Sequence, residues 1–179
     1  MKGDELFQNV LKALDRGDFS RLETMLGGPA GFDRQIVKLF ENGKFDTEPE
    51  MLAEALSCAC MLGRTATARY LIEHGVDPYA GMKTWLAGPH YAVSSGRLDT
   101  VQMLLEKKIP LEVENKYGGT LLGQALWSAV NEHKESHADI IAVLIGAGAK
   151  IEPGTLEWWE LQDVPSAETK KLVFDALQS

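Results

Sequence analysis

Apolar residues recur at i, i+3 and i+4 in Ala68, Leu71 and Ile72, and again in Val101, Leu104 and Leu105. That spacing puts each trio on one face of a helix. The two stretches are one pattern repeated: Gly63-Arg64-Thr65-Ala66-Thr67-Ala68-Arg69-Tyr70-Leu71-Ile72 aligns with Gly96-Arg97-Leu98-Asp99-Thr100-Val101-Gln102-Met103-Leu104-Leu105 at an offset of 33. Ala59, Ala92 and Ala125 keep the same offset. A further copy, Ala138 to Gly148, sits 40 residues beyond its counterpart, so seven residues are inserted between Ala125 and Asp139. The pattern predicts helix pairs over 47–62 and 65–74, 88–95 and 98–107, and 120–133 and 137–146.

Local chemistry agrees with these bounds. Thr47-Glu48-Pro49-Glu50 reads as a capping box with Pro in the first turn. Gly63, Gly75 and Gly96 stand where helices stop, and Pro78 and Pro110 follow helix ends. Upstream, Leu6, Val10, Ala13 and Leu14 line one helical face that ends at Gly17. Residues 18–26 loosely repeat the 64–72 pattern, Gly27 to Gly31 reads as a break, and a further helix is expected over 33–42. Residues 155–162 and 166–178 form a last pair, with Ser166 as N-cap.

A 33-residue period built on Gly-Arg-x-Asp-x-Val-x-x-Leu-Leu resembles the ankyrin repeat. Asn115 to Ala125 is similar to that family's turn plus Thr-Pro-Leu-His-x-Ala signature, with Leu121 and Gly123 replacing Pro and His. Gly88-Pro89-His90-Tyr91-Ala92 keeps the His with a shifted Pro. The resemblance covers residues 51–154 and implies an all-α helical repeat solenoid. The whole chain, 1–179, then reads as one repeat domain: an irregular helical cap over 1–46, repeats over 47–154, and a helical cap over 155–179.

Charge narrows the partners. The formal net charge is −8, and residues 151–179 hold six acids against two bases. Such a chain repels phosphate backbones, which argues against general nucleic-acid binding. The longest apolar run, Ile140 to Ala149, is far short of the ~18 residues that span a bilayer. The acidic start is unlike a secretory signal, and Cys58 and Cys60, at i, i+2 on a helix, point apart and read as two buried thiols. These features lead us to expect a cytoplasmic protein that stays off membranes.

Catalytic arrangements are absent from the sequence: no nucleophile elbow, no phosphate loop, no metal knuckle. His133 and His137 lie in the seven-residue insertion, which reads as a polar lengthening of a loop. His90 occupies the repeat's usual His position, which implies a hydrogen bond to the neighbouring loop. We expect neither enzyme activity, cofactor nor metal. The aromatics are more telling. All six Phe lie outside the regular repeats, whereas all Tyr and Trp lie between 70 and 159. In the repeat register, Lys83 to Leu86, Lys116 to Gly119 and Leu156 to Trp159 are equivalent turn fingers. Trp85 and Trp158 stand where the family has Gly, so those fingers should depart from the usual hairpin, because Trp resists positive φ. Tyr91 and Trp127 fall on first helices, at positions that commonly face the family's concave groove.

The expected function is that of a protein-binding module acting through the concave face and finger tips. The expected contact residues are Lys83, Trp85, Tyr91, Lys116, Tyr117, Trp127, Glu157, Trp158 and Trp159. The acidity suggests an inhibitor or immunity protein of a basic partner. The alternatives are a bacterial effector or adaptor, or a small-ligand or nucleotide receptor with a base on Trp85 or Trp158 and a phosphate on Lys83 or Lys116.

Overall fold

The computed structural model describes residues 2–81, 83 and 85–178. Among them are eleven helices and no strand: α1 (Lys2–Arg16), α2 (Phe19–Met25), α3 (Gly28–Glu41), α4 (Pro49–Leu62), α5 (Thr65–Glu73), α6 (Gly88–Ser94), α7 (Leu98–Glu106), α8 (Leu121–Asn131), α9 (His137–Gly146), α10 (Thr155–Leu161) and α11 (Ala167–Leu177). From α2 onward they alternate between two rows. One row stacks α2, α4, α6 and α8, and the other stacks α3, α5, α7, α9 and α11. The result is the all-α solenoid expected from the 33-residue period.

The stripe residues seat the rows. Leu71, Leu104 and Leu144 are buried in α5, α7 and α9, and each holds matched neighbours: Ala68 and Thr67, Val101 and Thr100, Ile140 and Ile141. In the other row Ala59, Ala92 and Ala125 are all fully buried, and their small side chains let α4, α6 and α8 approach closely. Burying a Leu or Ile is worth about 1.5–3 kcal/mol, so these stripes dominate the stability of the stack. Cys58 and Cys60 are free and buried on α4, where desolvation pushes the Cys60 thiol up to about 12.

The N-terminal cap is more regular than its sequence suggests. α2 and α3 are a helix pair of the same kind as α4 and α5, and α3 begins at Gly28, inside the expected break. Pro at its second position and Gly27 in a left-handed N-cap conformation start it early. α1 lies against α4 and α2, edge-on contact between Phe7 and Phe45 closing one end. α4 is consequently buried on nearly every side, including Glu54 and Ser57.

Three local expectations need correction. The Thr47 capping box does not form: Glu48 is the N-cap, without a side-chain bond, and Pro49 alone sets the start. The insertion is not a free loop: Ser136 Oγ donates to the Gly96 carbonyl (2.8 Å), and His137 is fully buried at the start of α9. Residues 156–159 are not a turn finger; they lie within α10. Ser166 does cap α11, its side chain accepting from the Thr169 N–H.

Candidate functional site

Two consecutive loops, 76–87 between α5 and α6 and 107–120 between α7 and α8, meet at one exposed cluster. The first is drawn onto α4 at Gly81, where an added Cβ would sit 2.6 Å from the Ala53 carbonyl oxygen. Ser57 Oγ donates to the Gly81 carbonyl (3.2 Å), and the Lys83 N–H donates to Glu54 Oε1 (2.7 Å). Glu54 is 1% exposed, so a buried carboxylate holds the base of this finger. Lys83 Nζ lies 2.6 Å from Asp15 Oδ1 of α1. The pairing raises the lysine's pKa and lowers that of the aspartate, mainly through the hydrogen bond they share. Thr84, which the finger pattern includes, lies outside the described residues.

The second finger is shaped by Asn115. Its Oδ1 accepts from the N–H groups of Tyr117 (2.8 Å) and Gly119 (3.1 Å), and its Nδ2 donates to Gln124 Oε1 (2.9 Å). His90 Nε2 donates to the carbonyls of Val113 and Gly119, each at 3.1 Å, fastening this finger to α6 as the repeat register implied. Desolvation depresses the His90 pKa below the ordinary histidine value. Its Nδ1 is buried with no hydrogen-bond partner among the described residues.

The fingers join where the Lys116 N–H donates to the Trp85 carbonyl (3.2 Å). Above that bond the Trp85 and Tyr117 rings stack, centroids 5.7 Å apart and planes 25° apart. Lys116 Nζ sits 5.3 Å from the Trp85 ring centroid, a cation–π contact. The rings stay exposed, Trp85 at 54% and Tyr117 at 75%. Trp85 also corrects the sequence expectation. Its φ is +77°, beside +80° at Gly118, so the finger keeps the repeat's left-handed position with a Trp in it.

The other expected contact residues divide. Trp127 on α8 and Trp158 on α10 are exposed, as is Glu157. Tyr91 is half-buried, because Phe19 of α2 meets it edge-on at 5.5 Å. Trp159 is not a contact residue: it is fully buried, and its Nε1 donates to the Lys170 carbonyl (3.0 Å) to lock α10 onto α11. Leu161, 85% exposed, was not singled out from the sequence. The Lys83 proposed for a phosphate is already paired with Asp15, and the Trp85 indole already carries a ring and a cation. Among the described residues no group of three or more His, Cys, Asp and Glu is placed to hold a metal. None of the described helices is long and apolar enough to cross a membrane.

No curated protein matches the chain. Among solved structures, a crystal structure of EF0377, an ankyrin repeat protein, matches 95% of this chain and 96% of its own with a TM-score of 0.54 at 14% identity. That likeness is one of fold. Two family models match the sequence itself: ankyrin repeats (3 copies) over residues 30–116, and ankyrin repeats (many copies) over residues 90–145. The chain belongs to the ankyrin-repeat family, whose repeats are protein–protein interaction modules.

Proposed function

We propose that the chain binds a partner protein through the finger-tip cluster of Trp85, Lys116 and Tyr117, together with Trp127 on α8 and Trp158 on α10. The observation that carries this reading is the state of Trp85. A bulky residue at positive φ costs roughly 1–3 kcal/mol. Burial does not offset that cost, since more than half of the side chain remains in water. A strained, exposed ring stacked on a second exposed ring has the character of an anchor for another molecule. The net charge of −8 favours a basic partner, which the chain would inhibit or hold.

The test compares partner capture from the source cell by the parent protein and by the Trp85→Gly/Tyr117→Ala variant, with circular dichroism to show that both are folded. Loss of the captured protein in the folded variant supports the reading. Undiminished capture overturns it.

A further inference from the structure

α10 carries an exposed face that the stacking of helices leaves open. It turns Trp159 and Leu156 inward, the first fully buried and the second half-buried. At 3.6 residues per turn the opposite side presents Glu157, Trp158, Glu160 and Leu161, all exposed. Leu161 is 85% exposed and Trp158 38%. They are i, i+3 neighbours and share one half of the open arc, while Glu157 and Glu160, also i, i+3, share the other. Asp163, also exposed, follows two residues after the helix. An apolar pair thus stands beside the acids on this face.

Glu157, Glu160 and Asp163 make no side-chain hydrogen bond or ion pair among the described residues. Neither lysine of this end pairs with these carboxylates. Lys170 Nζ donates to the carbonyls of Glu160 (3.0 Å) and Gln162 (2.6 Å), and Lys171 Nζ pairs with Asp175 (2.6 Å).

We infer that the α10 face docks a basic amphipathic helix of a partner protein. Its Lys and Arg side would lie along Glu157 and Glu160, and its apolar stripe would cover Trp158 and Leu161. The inference rests on the protein-binding reading and assigns the chemistry of the partner at this end.

The probe is a designed peptide of about 18 residues, Leu and Lys at amphipathic helical spacing, titrated into the full-length protein at low and near-physiological salt. Saturable binding is expected, weakened about tenfold or more by Leu161→Ala and by Glu157→Lys/Glu160→Lys. Asp46→Lys/Glu50→Lys makes the same change in net charge around the α3–α4 connection, towards the other end of the stack, and is expected to alter affinity less than about twofold. A peptide of equal composition in non-amphipathic order is expected to bind about tenfold more weakly. Failure to saturate, or equal weakening by the two charge-reversed pairs, overturns the inference. So does sedimentation showing a dimer that Leu161→Ala dissolves, since a second copy would then be the occupant. If the finger variant loses a captured partner while the peptide fails to bind, only the α10 assignment falls. If the peptide binds while the finger variant captures normally, only the finger-tip reading falls.

Discussion

Trp85 and Gly118 hold equivalent places one repeat apart, and both have left-handed backbones, with φ of +77° and +80°. Glycine takes that conformation without steric cost, whereas a Trp there clashes at its Cβ. Hydrogen bonds on each side enforce it: the Lys83 N–H to Glu54 two residues before, and the Lys116 N–H to the Trp85 carbonyl itself. The exposed ring stack is thus maintained against local preference.

Trp85→Gly is therefore expected to leave stability unchanged or to raise it by up to about 1 kcal/mol, as relieved strain offsets the lost stack. Urea melts followed by circular dichroism measure this. A loss of more than about 1 kcal/mol would mean that the stack holds the finger together and that its exposure is incidental.

Acid should weaken the fold through two histidines. Burial is the main cause that lowers the pKa of both His90 and His137. An unfolded histidine takes up its proton near pH ~6.5, and these two do so later in the folded chain. Below that pH the unfolded state holds more protons, so stability is complete above it and falls as pH drops towards the folded values. The slope is at most about 1.4 kcal/mol per pH unit for each histidine. Urea melts at about pH 7.5, 6.5 and 5.5 test the sign, and His137→Gln should flatten the slope. Stability that rises on acidification would contradict it.

The regular rows were legible because local and tertiary signals coincide there: Ala68, Leu71 and Ile72 repeat as Val101, Leu104 and Leu105, and each copy ends in the expected turn. Legibility failed where a position depends on a distant partner. Tyr91 is half-covered by Phe19, and Lys83 is held by Asp15, 68 residues earlier in the chain. The helix expected over 155–162 is α10, but the repeat register also placed Trp158 and Trp159 in a turn finger; that register, carried across the insertion, does not hold at this end, and the helix prevails. Trp85 was misread for a different reason. Side-chain preference spoke against positive φ, and the hydrogen bonds of two neighbouring loops overrode it.

Ala87 offers a test of the His90 arrangement. Ala87 is the N-cap of α6, extended at φ −82° and ψ 167°, with no side-chain cap bond. Thr120, its equivalent one repeat on, has nearly the same backbone and accepts from the Gly123 N–H at 3.2 Å. Gly123 is in turn the equivalent of His90. A hydroxyl at position 87 would cap α6 and stand near the unpartnered His90 Nδ1. Ala87→Ser is expected to stabilise by about 0.5–1 kcal/mol in thermal or urea unfolding. Destabilisation would show that the buried site has no room for one more oxygen.

The seven-residue insertion provides the last prediction. Excising Glu132 to Ala138 would restore the 33-residue offset, and a free polar loop would tolerate that. Its second half is instead fastened to the α6–α7 turn. Ser136 Oγ donates to the Gly96 carbonyl at 2.8 Å, and His137 Nε2 donates to the Ser94 carbonyl at 3.3 Å. His137 Nδ1 accepts from the Lys134 N–H at 3.1 Å, so one ring ties the loop to itself and to α6. The seat is close: a Cβ on Gly96 would lie 2.7 Å from Ser136 Oγ and 2.9 Å from the Lys134 Cβ. Each lost hydrogen bond is worth about 1 kcal/mol, and Ala138 contributes buried apolar surface besides. The deletion should therefore lower stability by about 2–4 kcal/mol, whereas Glu135→Ala, exposed in the same loop, should change it by less than about 0.5 kcal/mol. Paired urea melts decide between them. A deletion variant as stable as the parent would show that the loop rests on the turn without contributing to the fold.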